Sequence, residues 1–345
     1  MEFLKDYGLF LAKTVTIVLA IVFIVRGIFA AVQHEREMSR EKITVKKLNR
    51  HYEYLYDVMR EEMTSIFERK QILKAKKQQW KDEKKQAKAG TLPEKRKIFV
   101  LNFRGDIRAS AVSSLREEVT AILTVAKNTD EVVVRLESSG GVVHAYGLAA
   151  SQLRRFKLKQ IPLTIAVDKV AASGGYLMAC VADRILAAPF AIVGSIGVIS
   201  QVPNFNRLLK KYDIDYEEIT AGEYKRTLSV FGENTEKGRQ KFLEQMEEVH
   251  ASFKEFLQEH RPKIDLAEVA TGEYWYGKRA LELQLVDELT TSDDYLFASH
   301  EESEIYEITY KPKETLREKL AAGMEESLQR AMNLLWKRAQ DTRYV

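Results

Sequence analysis

One cysteine, Cys180, stands in 345 residues, so no intramolecular disulfide framework can form. Its neighbours are apolar, which points to a buried structural thiol rather than a nucleophile. Proline is equally sparse, with six in all and none before Pro93. No internal sequence repeat is visible. The main body also lacks a positive excess. Net charge is +4, but residues 33–97 hold 19 Lys+Arg against 11 Asp+Glu, whereas residues 98–345 hold 32 against 37. The basic surplus is therefore local, and no nucleic-acid partner is expected.

One long apolar run is present, "GLFLAKTVTIVLAIVFIVRGIFAAV". Its charge-free centre, Thr14 to Val25, is short for a span of about 20 residues. Lys13 and Arg26 flank it where long side chains can reach the headgroups, and from Leu9 to Val32 the run is long enough. No A-x-A cleavage site follows, so residues 1–32 are expected to be an uncleaved N-terminal transmembrane helix contacting membrane lipid. Residues 33–97 are proline-free up to Pro93 and rich in helix formers. They predict a basic helical linker whose lysines from Lys70 to Lys88 either touch anionic lipid or form a solvated spacer.

Beyond the linker the pattern changes. "KIFVLNFRGDI", "EVVVRLES" and "IPLTIAVD" predict strands. "VSSLREEVTAILTVAK" and "VHAYGLAASQLRRFKLK" between them have helical spacing. Such alternation implies βαβ units and a mostly parallel sheet, an α/β fold. The apolar stretch from Ile185 to Ser200 contains Pro189, Gly194 and Gly197 and suits a buried strand rather than a second span. "NTEKGRQKFLEQMEEVHASFKEFLQEHRP" predicts a long amphipathic helix, and "GEYWYGKRALELQLVDEL" a turn and short helix in which Trp275 and Tyr276 pack. The domain is expected over 98–310. Residues 311–345, with Leu316, Leu320, Met324, Leu328 and Leu335, predict a C-terminal amphipathic helix.

Two glycine loops carry the chemistry. "DKVAASGGYLMA" sets Ser173 before Gly174 at a strand-to-helix junction, where free amides favour developing negative charge. The ordinary reading of a serine before glycine is a helix cap or turn. "LESSGGVVHAYG" places Gly140 and Gly141 after a buried strand, where backbone N–H groups can face an oxygen. Here the plain reading is a tight turn needing positive φ. A serine nucleophile needs a base. Of the six histidines, His34 and His51 fall in the linker, His250, His260 and His300 on charged segments, and only His144 lies near a glycine loop. A lysine made neutral by desolvation is the other option. "ITAGEYKRTLSVFGE" offers Lys225, although spacing alone does not select it.

"VAASGGY", "SIGVI" and "AGEYK", in this order, resemble the signal peptide peptidase A family of serine peptidases. The resemblance covers the apolar run, the linker and most of residues 98–290. It implies a ClpP/crotonase-like core of stacked ββα units and a Ser–Lys dyad. Ser173 then matches the nucleophile and Lys225 the general base. Gly140–Gly141 matches the loop supplying an oxyanion amide, with Gly174 as a second donor. No metal and no organic cofactor is implied. The family loop usually reads Ser-Pro-Gly-Gly, and here it reads Ser138-Ser139-Gly140-Gly141. Losing the proline frees φ at Ser139 without removing a glycine amide.

The implied substrate is a peptide, such as a remnant signal peptide or a membrane-protein fragment. The implied assembly is a homo-oligomer, possible as a ring with the dyad shared between subunits. Location follows as single-pass in the bacterial inner membrane. Basic residues after the apolar run favour a cytoplasmic catalytic domain, whereas the resemblance suggests the periplasm. Two alternatives stay open: a crotonase-like acyl-CoA enzyme, which would share the fold without the dyad, and a non-catalytic membrane scaffold.

Overall fold

Strand β2 (Arg96–Gly105) and strand β3 (Glu131–Ser138) alternate side chains between two buried faces. Phe99, Leu101 and Phe103 of β2, with Val132, Val134 and Leu136 of β3, share the larger core. There they join Leu115, Val119 and Ile122 of helix α2 (Val112–Leu123) and Leu153 and Phe156 of α3 (Val143–Leu158). Ile98, Val100 and Val133 point the other way into a second cluster with Leu48, Leu296 and Ile305. Burial on both faces explains why these strands read as nearly unbroken apolar runs.

The computed structural model describes residues 42–65 and 95–312, with Arg26 and scattered residues between 68 and 89. The segment read as a membrane anchor (Arg26 apart), part of the linker and the C-terminal amphipathic stripe lie outside the described residues. Among the described residues no helix is long and apolar enough to cross a membrane. Residues 44–309 form one compact unit.

The remaining strands are β1 (Lys42–Lys47), β4 (Leu163–Val167), β5 (Val170–Ala172), β6 (Arg184–Ala187), β7 (Ile192–Gly194), β8 (Tyr274–Tyr276), β9 (Glu288–Leu289) and β10 (Ser303–Lys311). The sheet order is β1-β10-β2-β3-β4-β6-β9, and β5 bridges β3 to β7, which pairs with β8. The pairings from β10 through β9 are parallel, as are those of β5 with β3 and β7. The β7–β8 pair is antiparallel, so the sheet is mixed. The stretch expected as one buried strand around Pro189 is two, β6 and β7. The expected turn at Trp275 is the strand β8, with Trp275 packed against the core.

The linker reading needs correction over residues 42–63. Lys42–Lys47 is the strand β1 where helix was expected; helix α1 (Asn49–Met63) follows as the helical reading had it, but the junction of the two is docked on the domain and not solvated. Buried Asn49 donates from Nδ2 to the carbonyls of His300 and Ser303 at 2.8 and 2.9 Å. Its Oδ1 accepts from Ile305 N–H at 2.7 Å. Leu48 and Tyr52 fill the second core cluster beside it.

Between β7 and the long helix α6 (Glu236–His260) the chain makes an excursion with one short helix, α5 (Asn206–Lys211). From residue 199 to 235 only Ser229 is buried. The excursion is held by its own side chains: Asn204 Nδ2 donates to the carbonyls of Ser229 and Gly232 at 2.9 Å, and Asn206 Nδ2 to that of Phe231 at 2.9 Å.

Candidate active site

Three parallel strand ends lie side by side. Gly105 of β2 is in register with Ser138 of β3, and Ser138 with Ala171 of β5. Open α/β sheets bind ligands outside the carboxyl ends of their strands, and the glycine loops emerge at that edge here. Ser173 follows β5 and precedes helix α4 (Gly174–Ala179). Its backbone is at φ 51°, ψ −120°, which costs a non-glycine residue about 1–3 kcal/mol. The turn is fixed from both sides. Ser173 N–H donates to the Gly194 carbonyl at 2.8 Å, and the Ser173 carbonyl accepts from Leu177 N–H at 3.0 Å. A sharp strand-to-helix turn of this kind lifts a hydroxyl out of the backbone ladder and presents it.

Ser173 faces a cleft of about 490 Å³ lined on one side by Gly141, Val143, Gly174 and Leu177, and on the other by Gly197, Val198 and Ile199. Helix α6 closes it with Val249, Phe253 and Phe256, spaced four and three apart and so on one face. The lining is mainly apolar and suits an apolar side chain of a peptide. Glu248 is the single titratable side chain on the lining, among the described residues.

The sequence-predicted residues fall into two groups. Ser173, Gly174 and Gly141 line the cleft together. Gly140 lies directly behind them at φ 87°. A Cβ there would come within 2.8 Å of the Ser173 Cβ and 2.7 Å of the Gly174 nitrogen. Its own N–H is occupied, donating to Ser138 Oγ at 3.1 Å. Of the three glycines expected to donate to an oxyanion, Gly140 therefore has its N–H already engaged, while Gly141 and Gly174 line the cleft. Because α4 is six residues long, its summed dipole is small, and the individual amides carry the electrostatics.

Lys225 is not brought to Ser173. It sits exposed on the excursion, outside the cleft lining, with no side-chain hydrogen bond or ion pair among the described residues. His144 is exposed and also off the lining. Cys180 is wholly buried, its thiol pushed up strongly by burial, and its Sγ donates to the Leu177 carbonyl at 3.2 Å. It is structural, as its neighbours indicated.

Sequence reading missed the α6 face, although the apolar spacing of Val249, Phe253 and Phe256 carried the signal. It also missed Tyr146, which is fully buried beneath the glycine loop. An aromatic on a helix looks like ordinary core, and nothing local distinguishes it.

A peptide-sized cleft at the strand ends of an α/β core, with a presented hydroxyl and backbone donors, is the architecture of an α/β peptidase. Known proteins agree: residues 2–153 match the family model "Peptidase family S49 N-terminal" and residues 155–306 "Peptidase family S49". The chain belongs to peptidase family S49. It is 47% identical over 341 residues to the probable protease SohB of Haemophilus influenzae, covering 97% of this chain and 96% of that one. It is 55% identical over 234 residues to the probable protease SohB of Buchnera aphidicola subsp. Acyrthosiphon pisum, covering 68% and 70%. Among solved structures, a mutant of a membrane-bound stomatin-specific protease with a substrate peptide superposes with a TM-score of 0.39 at 14% identity, covering 68% of this chain and 100% of that chain.

Proposed function

We propose that this chain is a serine endopeptidase in which Ser173 is the nucleophile and Lys225 of a neighbouring copy the general base. The observation that carries the reading is the content of the cleft. It holds a presented serine beside Gly141 and Gly174 but no lysine or histidine among the described residues. A hydroxyl without a base is a poor nucleophile. The excursion bearing Lys225 exposes large apolar side chains, with Ile199 at 81% and Ile219 at 93%. Apolar surface of this kind is the mark of a protein contact, and a second copy is the partner that would complete the dyad.

The reaction is acyl transfer. Neutral Lys225 takes the Ser173 proton as the oxygen attacks the scissile carbonyl. The Gly141 and Gly174 amides stabilise the oxyanion, in the loop shaped by Gly140. Lysine then passes its proton to the departing amine, and the acyl-enzyme remains. Water, deprotonated by the same lysine, releases the acid and restores Ser173. The apolar cleft favours peptides with an apolar residue at the scissile bond, as remnant signal peptides and membrane-protein fragments have. Residues 1–32 would tether the enzyme as a single-pass protein of the bacterial inner membrane, near such substrates. Reporter fusions at Gly90 decide which side the domain faces.

The test is labelling with a fluorophosphonate. The wild-type chain should be modified on Ser173, and Ser173→Ala should lose both label and peptide hydrolysis. Unchanged turnover by Ser173→Ala removes the nucleophile.

A further inference from the structure

Beneath the glycine loop runs a chain of hydrogen bonds whose direction can be worked out. The Tyr146 hydroxyl lies 2.7 Å from the Asp106 carbonyl, which can only accept, so the phenol spends its one hydrogen there. Ser138 Oγ lies 2.6 Å from the same phenol oxygen, so the serine must donate to it. Ser138 Oγ in turn accepts the Gly140 N–H. Three bonds thus run one way, from the Gly140 amide through Ser138 and Tyr146 to the loop after β2. Tyr146 is 0% exposed and Ser138 2%, so water does not compete, and bonds in such a chain polarise one another. The loop after β2 is tied in a second time, because Val142 N–H donates to the Ile107 carbonyl at 2.8 Å.

The Tyr146 ring also packs against Gly174. A Cβ on Gly174 would stand 2.5 Å from Tyr146 Cγ, so the ring lies in contact with the backbone that carries the Gly174 amide. One side chain therefore supports the pair from both sides: it packs on Gly174, and through Ser138 it holds Gly140, the residue next to Gly141. Ser139, at the position where the resembled loop carries proline, is exposed. Loop rigidity comes here from buried bonds instead of a pyrrolidine ring.

We infer that Tyr146 is a positioning residue for hydrolysis, holding the Gly141 and Gly174 amides at the spacing an oxyanion requires. The inference rests on Ser173 being the nucleophile. Removing one oxyanion donor outright costs about 10²–10³ in kcat. Tyr146→Phe keeps the ring and loosens the loop, so a smaller loss is expected, about 10- to 100-fold in kcat, with KM within about twofold. Affinity for a peptide aldehyde, which forms a tetrahedral adduct, should fall with kcat, whereas affinity for the product peptide should not. Ser138→Ala breaks the same chain and should give the same pattern. The double variant should be no worse than the poorer single, since both cut one path.

The measurements use the full-length chain and a quenched fluorogenic peptide with an apolar residue before the scissile bond, with thermal unfolding followed in parallel. Wild-type kcat in either variant, additive losses in the double, or a kcat loss matched by loss of folded protein overturns the inference. If Tyr146→Phe does not fold, Ser138→Ala decides by the same criteria. Ser173→Ala is assayed alongside. If it is inert while Tyr146→Phe is normal, only Tyr146 fails; if it turns over, the nucleophile reading fails and takes this inference with it.

Discussion

Activity should be recoverable from two dead variants. Ser173→Ala leaves a chain with an intact Lys225, and Lys225→Ala leaves one with an intact Ser173. In this structure Lys225 lies outside the cleft that holds Ser173, on the exposed excursion. If the base arrives from the next copy, each active site needs a serine from one chain and a lysine from its neighbour. In randomly mixed assemblies of equal amounts, half the chains supply the serine and half of their neighbours the lysine. About one quarter of wild-type sites should then be complete. Neither variant alone should exceed background. The assay is peptide hydrolysis by co-expressed variants bearing different tags, purified in sequence over both, so that only mixed assemblies are measured. Mixed assemblies at background activity would rule out the shared dyad. Serine chemistry would survive that result, but the excursion would have to fold onto its own cleft to deliver the lysine.

Three further outcomes follow from the packing. Asn49→Ala strands the Ile305 N–H and two carbonyls in a buried site. It should destabilise by about 2–3 kcal/mol, seen as a lower urea midpoint and faster hydrogen exchange across residues 48–63. The Glu304 carboxyl is held below its usual range chiefly by its hydrogen bond from Lys47. A depressed carboxyl stabilises the fold above its unfolded value, near 4.5, and the contribution is lost as pH falls through the lower folded value. Glu304→Gln should therefore flatten the acid limb of a stability–pH curve, and an unchanged limb refutes the assignment. Cys180, buried with its thiol pushed up, should resist iodoacetamide until the domain unfolds. Rapid alkylation of the native chain would contradict its burial.

The legible parts of the fold were those written in local periodicity. "EVVVRLES" became β3, and "VHAYGLAASQLRRFKLK" became α3 almost residue for residue. The helix of the linker was expected, but its docking was hidden because only the first turn of α1 makes contact. Leu48, Asn49 and Tyr52 make the attachment, and the charged residues after them read as solvated because they are. At the site, the motif points to Ser173 and the glycines, but not to the bond that occupies the Gly140 N–H. That bond belongs to a chain in which Ser138 Oγ at the end of β3, Tyr146 on helix α3 and Asp106 after β2 meet, and no pattern along the chain encodes such a meeting. The lysine is the reverse case: the motif points to it, and a single copy of the fold leaves it outside the cleft.

The side-by-side strand ends have a bearing on the birth of the protein. Gly105, Ser138 and Ala171 become neighbours only once three parallel strands have paired, and parallel pairing across intervening helices is slow because each closure must first lose chain entropy. On the proposed reading, a half-made chain leaving the ribosome carries Ser173 with no donor pair to serve it. If the base comes from another copy, even a finished chain stays harmless until it meets its own kind. Local abundance then acts as the safety catch that keeps it from cutting the proteins made beside it.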